Sequence, residues 1–277
     1  MTLDFSQPFT ERTPRVVNAA KLHRAQARKK ANRFLVEGAN SVEAAVATGA
    51  ATDLFATERA ADEFADIITT ADYMDVFTHA ITDQAAKHMS DTVHTTGLFA
   101  VCKPSLWTVG AALRGTPEFV AVGVETNDPG NAGTIIRIAD ATGANAVIFA
   151  GETVDPESSK VVRSSAGSLF HLPVARERNI KDVLGQLRAK GLQIVATAMD
   201  GEVSLDAAGE VLTKPTAWLF GNEAHGLPDE ILELADHRVA IPIKGSAESL
   251  NLATAAAMCM WESSKAVSYT HLTLPTK

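Results

Sequence analysis

Five apolar runs in the second half of the chain are continuous rather than alternating: EFVAVGVE (118–125), NAVIFAG (145–151), LQIVATAMD (192–200), TAWLFG (216–221) and RVAIPI (238–243). A strand with one wet face alternates in polarity. A strand buried on both faces does not, and such runs mark parallel strands sandwiched between helices. Helical segments separate them at GTIIRIADATG (133–143), IKDVLGQLRAKG (180–191, ended by Gly191) and PDEILELADH (228–237). A long last helix follows in SLNLATAAAMCMWESSKAV (249–267), with Ser249 in the N-cap position. The pattern predicts a doubly wound α/β domain over 118–267, roughly 150 residues.

Upstream the alternation is weaker. RFLVEGANSVEAAVATG (33–49) reads as strand, turn at Gly38 and helix, DLFAT (53–57) as a strand, and ERAADEFADIIT (58–69) as a helix. ITDQAAKHMS (81–90) reads as a helix and TGLFAVCK (96–103) as a strand. A small α/β domain is expected over 1–103, joined by a linker, PSLWTVGAALRGTP (104–117). The final SYTHLTLPTK (268–277) departs from this pattern and resembles a vector remnant, so a non-native tail is expected there.

The net charge of -8 speaks against a polyanionic partner, but the average hides a basic arm over 12–33. Arg12, Arg15, Lys21, Arg24, Arg28, Lys29, Lys30 and Arg33 lie there with no acid among them, a footprint suited to RNA or to a solvated helix face. Cys102 and Cys259 stand alone, with no metal-ligand spacing, so neither a disulfide scaffold nor a metal centre is expected. No apolar run approaches the ~18 residues of a membrane span, and a cytoplasmic protein is expected.

Three loops following predicted strands are rich in glycine and polar residues: NDPGNAG (127–133), GNEAHGLP (221–228) and KGSAESLN (244–251). In an open parallel sheet such loops gather where ligands bind. The first is no nucleotide loop, because Gly130 and Gly133 lack a third glycine in register and the lysine of a phosphate loop is missing. Pro129 and Gly130 suit a turn with Asn131 as helix cap. Arg137 is surrounded by Ile135, Ile136 and Ile138, so it must reach the loops or find an acid. Glu223 suits a cap or an arginine partner, and Ser249 and Asn251 suit helix-start chemistry.

Together, N-D-P-G-N-x-G-x-I-I-R, F-G-N-E-x-x-G-L and I-P-I-x-G-x-x-x-S-L-N-x-A-x-A resemble the three motifs of the SpoU (TrmH) family of RNA ribose methyltransferases, in the SPOUT superfamily. KVVRSSAGSLFHLPV (160–174) is similar to that family's central segment, and RFLVEG to its small ribosomal-protein-like substrate-binding domain. The resemblance implies a SPOUT-type parallel sheet with a C-terminal trefoil knot and a homodimer. It implies S-adenosylmethionine as cofactor and methylation of a ribose 2′-hydroxyl in RNA, large-subunit rRNA first and tRNA second. By resemblance, Arg137, Asn131, Glu223, Ser249 and Asn251 are catalytic, and Thr197, Gly221, Ile241, Ile243 and Leu250 line the cofactor pocket. The small residues Ala253, Ala255, Ala256 and Ala257 suit either a close helix interface or a tight core. The alternatives are a Rossmann oxidoreductase, which the missing glycine fingerprint disfavours, and a non-catalytic RNA-binding or ribosome-assembly factor. Deleting 1–33 is expected to weaken RNA binding and spare cofactor binding.

Overall fold

A computed structural model describes residues 3–273, with side chains through Ala266. The chain divides into two compact units, Met1–Ser105 with Asp155–His171, and Leu106–Val154 with Leu172–Lys277. Among the described residues no helix is long and apolar enough to cross a membrane.

The first unit opens with α1 (Pro14–Ala20) and α2 (Ala25–Ala31), followed by β1 (Phe34–Glu37), α3 (Ala39–Ala47) and β2 (Ala51–Ala56). Then come α4 (Glu58–Glu63), α5 (Ala65–Tyr73), β3 (Phe77–Ala80), α6 (Asp83–Met89) and β4 (Leu98–Cys102). The sheet order is β1-β4-β2-β3, with β3 parallel to β2 and the other pairs antiparallel. Two expectations change here. The basic segment is no detachable arm, because Val16, Ala19 and Leu22 are buried in the core with Leu35, Phe55 and Phe99. The helix expected over 58–69 breaks at Phe64, whose backbone (φ −119, ψ 41) is not helical. The edge strand β3, FTHA, has no apolar run and gave no signal in the sequence.

The second unit contains α7 (Val109–Ala112), β5 (Phe119–Val124), α8 (Pro129–Thr142) and β6 (Ala146–Ala150). The chain then contributes α9 (Ser159–Ser165) to the first unit, where it packs on β1 and α3, before returning. There follow β7 (Val174–Glu177), α10 (Ile180–Ala189), β8 (Gln193–Thr197), β9 (Val203–Ser204), β10 (Thr216–Phe220), α11 (Asp229–Leu232), β11 (His237–Ala240) and α12 (Leu252–Thr273). Every pairing in the seven-stranded sheet, ordered β7-β6-β5-β10-β8-β11-β9, is parallel.

β5, β6 and β10 are buried at every residue, as continuous apolar runs require. One face packs Val120, Ile148 and Leu219 against Val183, Leu184 and Leu187 of α10. On the other, the Trp218 indole N–H of β10 donates to Ser263 Oγ of α12 at 2.8 Å. RVAIPI forms ladder only to Ala240, because Pro242 offers no N–H to continue it. The expected linker carries α7, and Trp107 donates its N–H to Val174 O at 2.8 Å. The stretch 155–171, expected within 118–267, groups with the first unit. Of the expected tail 268–277, α12 takes in the backbone to Thr273, and 274–277 lie outside the described residues.

Candidate functional site

α8 starts where Asp128 accepts the Asn131 backbone N–H at 2.8 Å, with Pro129 in the first turn, and it ends at Gly143 (φ +77). The cap is therefore Asp128, not Asn131: a cap accepts from a residue two or three positions ahead, and Asn131 is that residue. Freed from capping, the buried Asn131 amide faces the other two loops. Its Nδ2 donates to Glu223 Oε1 at 3.2 Å, and its Oδ1 accepts from Asn251 Nδ2 at 2.9 Å. Glu223 also accepts the backbone N–H groups of Asn127 and Asp128, at 3.3 and 3.1 Å. One hydrogen-bonded chain thus joins all three loops at the carboxyl ends of their strands.

The second loop is a tight hairpin. Asn222 and Gly226 exchange backbone hydrogen bonds of 2.9 and 3.0 Å, and Gly226 sits at φ +72. Gly221 must lack a side chain, because a Cβ there would lie 2.3 Å from Gly226 C and 2.4 Å from Leu227 N. Asn222 Nδ2 donates to Glu125 O at 2.7 Å, which helps hold Glu125 at its φ of +53. Its carboxylate stands 3.5 Å from His225 Nε2. Asn222, Glu125 and His225 were not picked out from the sequence, since their roles depend on hairpin geometry that only the fold supplies.

The third loop corrects a second cap. α12 begins at Leu252, and Asn251 Oδ1 accepts the N–H groups of Ala253 and Thr254 at 2.9 and 3.2 Å. Ser249 lies outside the helix, exposed. Arg137 is also exposed, with no hydrogen bond or ion pair among the described residues. It sits six residues beyond Asn131, roughly 9 Å along α8 and about a third of a turn around it. The structure therefore brings together Asn131, Glu223 and Asn251, and leaves Arg137 and Ser249 facing solvent.

Of the expected pocket residues, Thr197 donates its hydroxyl to Leu219 O at 3.0 Å, linking the ends of β8 and β10. Ile241 lines a groove of about 410 Å³ with Leu205, Asp206, Pro242, Lys244, Met258, Trp261 and Glu262. Ile241 and Leu250 are half-buried, and Ile243 is 38% exposed. The N–H groups of Ile241 and of 243–250 make no backbone hydrogen bond among the described residues. The loop offers apolar surface and free backbone donors, and Lys244 is its one cation. A groove with two carboxylates and a single lysine fits an adenosine-like ligand carrying one positive sulfonium better than it fits a polyphosphate.

The expected RNA-binding residues lie in the first unit. Arg12, Lys21, Arg24, Lys29 and Lys30 are exposed, Arg33 is half-buried, and Arg15 is exposed but paired with Asp53 at 2.7 Å. Arg28 is different: it is 7% exposed, bound to Asp155 at 2.6 Å, and it donates to Leu22 O and His23 O. A guanidinium so enclosed is a structural tie, unavailable to a phosphate. Cys102 and Cys259 are buried, and desolvation raises both thiols far above their usual range, which removes them as nucleophiles.

Residues 118–261 match the profile of the SpoU rRNA Methylase family, and residues 13–100 that of the MRM3-like substrate binding domain. The 23S rRNA (guanosine(2553)-2'-O)-methyltransferase RlmP of Bacillus subtilis is 31% identical over 87% of this chain and 92% of its own. A crystal structure of an AdoMet-bound rRNA methyltransferase from Sinorhizobium meliloti superposes with a TM-score of 0.80 at 28% identity, covering 96% of this chain and 97% of that one. The SpoU methyltransferase AviRb from Streptomyces viridochromogenes, in complex with AdoMet, gives a TM-score of 0.80 at 29% identity, covering 91% and 98%.

Proposed function

Because this chain belongs to the SpoU rRNA methylase family, we propose that it methylates a ribose 2′-hydroxyl of RNA, with large-subunit rRNA as the substrate. The observation that carries the reading is the hydrogen-bonded chain Asn251–Asn131–Glu223, which locks three loops distant in sequence into one site. A chain kept only as an RNA-binding factor has no need of that arrangement.

S-adenosylmethionine supplies an electrophilic methyl group on a sulfonium. Gly221, Ile241, Ile243 and Leu250, with Thr197 behind them, are the residues proposed to hold it. A bound sulfonium would carry a positive charge, so a groove poor in cations would suit holding it, and Lys244 is the one cation of these loops. Backbone N–H groups of Ile241 and of 243–250 are free to bind polar atoms of the ligand.

On the acceptor side a ribose hydroxyl is a weak acid, and its oxygen must be held in line while its proton leaves. Arg137 keeps its own proton, since a guanidinium titrates above ~12, so its proposed role is to stabilise the forming alkoxide or grip the neighbouring phosphate. Ser249 and Asn251 flank that oxygen on this reading. Arg137 lies outside the Asn131 cluster in a single chain, which supports a homodimer in which one protomer's Arg137 completes its partner's site. The C-terminal trefoil knot and a cytoplasmic location belong to the same proposal.

tRNA is the second substrate class, favoured by the 32% identity over 154 residues to the Escherichia coli tRNA (guanosine(18)-2'-O)-methyltransferase. Mapping ribose methylation in rRNA and tRNA from a strain lacking the gene tests the choice. Loss of one methyl in large-subunit rRNA supports the reading. Loss confined to tRNA moves the substrate, and no loss anywhere refutes the activity.

A further inference from the structure

On the first unit's sheet, β3 is an edge strand whose Phe77 pairs in register with Asp53 of β2, and His79 with Phe55. Side chains two apart on a strand share a face, so Phe77, His79, Asp53 and Phe55 stand together. Phe55 belongs to the core built with Val16 and Ala19 of α1, which makes this the α1 face. Toward the inner end the face is closed: Phe9 stacks on His79 at 5.2 Å, and Phe55 lies 4.9 Å from the same ring. Toward the outer end it is open, and Phe77 is 68% exposed.

The open ring is not left to itself. The Arg15 guanidinium lies 6.0 Å from its centroid and is fixed by Asp53 Oδ1 at 2.7 Å, with His79 Nε2 3.0 Å from both partners. Thr52 donates to the second Asp53 oxygen at 3.1 Å. An exposed phenylalanine with a clamped planar cation over one face of its ring has the parts of a nucleobase platform, because bases stack on the open aromatic face and on guanidinium planes. Asp53 offsets the charge of Arg15, which leaves Arg15 as a surface and gives the phosphates to neighbours. Arg12, three residues away and therefore within about 11 Å along the chain, is the first of them. Its side chain is 92% exposed and makes only a long surface contact, 3.8 Å, with the Glu11 carboxylate.

We infer that Phe77 and Arg15 form a stacking site for one unpaired nucleotide of the RNA, with its backbone running along the basic 12–33 segment. The inference rests on the proposed RNA methyltransferase activity. Its partner is single-stranded, since a paired base keeps its faces stacked in the helix.

The test uses the full-length protein with a fluorescein-labelled 12-nucleotide oligouridine, and a duplex of equal length as second probe. Phe77→Ala, a surface change, is expected to weaken oligouridine binding about ten-fold, in line with a base–aromatic stack, and to leave duplex binding within two-fold. Phe77→Trp is expected to restore or exceed wild-type affinity. The dependence of log Kd on log salt should keep its slope in Phe77→Ala, because no charge is lost, and become shallower in Arg12→Ala. Equal binding by wild type, Phe77→Ala and Phe77→Trp overturns the platform alone. Equal losses on duplex and single strand also overturn it. A wild type that binds neither probe and methylates no RNA overturns the underlying reading instead.

Discussion

Asn251 donates its side-chain amide to Asn131 Oδ1 at 2.9 Å, across 120 positions of sequence, while its own Oδ1 caps α12. One residue thus fixes both the start of the last helix and the orientation of the first loop. Asn131→Ala should break the link between Asn251 and Glu223, while Glu223 keeps the backbone N–H groups of Asn127 and Asp128. Both partners are exposed, so water replaces the lost bonds, and a fall in stability of about 0.5–1.5 kcal/mol with a loss of kcat of about 10-fold is expected. Asn251→Ala should act through the same bond. The double variant should therefore lose less than the sum of the singles, as measured by urea unfolding and single-turnover methyl transfer.

Gly221 packs against the backbone of Gly226 and Leu227 so closely that one added carbon cannot be accommodated. Gly221→Ala should displace the hairpin and weaken S-adenosylmethionine binding at least about ten-fold, by calorimetry. Gly209→Ala, outside the three loops and where an added Cβ meets nothing within 4 Å, is the control and should bind as wild type does.

The basic segment separates into structural and exposed charges. Arg28→Ala leaves Asp155 half-buried without its cation and should cost about 3–5 kcal/mol in urea unfolding. Lys29→Ala, exposed beside it, should cost less than about 0.5 kcal/mol. Conversely, replacing Lys21, Arg24, Lys29 and Lys30 together should flatten the salt dependence of RNA binding while leaving S-adenosylmethionine binding unchanged. Truncation of 1–33, by contrast, removes Val16, Ala19 and Leu22 from the core and should unfold the first unit.

The Asp53 carboxyl is held below the usual carboxylate range by the hydrogen bond from His79, then by Thr52 and the charges of His79 and Arg15, against the opposing effect of burial. A depressed value means that its contribution to stability is complete above the unfolded value, about 3.9, and fades as pH falls through the folded one. Melting temperatures of wild type and Asp53→Asn, followed from pH 6 down to 2.5, should differ most at the upper end, and the difference should narrow as pH falls through the folded value.

The parallel sheet was legible because EFVAVGVE, NAVIFAG and TAWLFG are continuous apolar runs, alternating with helical segments, and they bury both faces. The strands not legible, FTHA, VARE and the two-residue β9, lie at sheet edges, where one flank is wet and the apolar signal is halved. Both helix caps shifted by a few residues, to Asp128 and Asn251, because several residues in each loop can cap and only the fold selects one. Asn131, Glu223 and Asn251 could be named from motif order, but their mutual bonds could not. Arg28 shows the opposite limit: in sequence it is one basic residue among eight, and only Asp155, 127 positions away, makes it structural.

Transfer of a labelled methyl from S-adenosylmethionine to large-subunit rRNA of a strain lacking this gene tests the central claim most directly. The account predicts label at a single ribose, seen as one alkali-resistant linkage, and a fall of at least about 100-fold for Arg137→Ala, the lower end of the range for losing one charge-stabilising group. Label absent from every RNA offered, or Arg137→Ala turning over at the wild-type rate with saturating RNA, would contradict it.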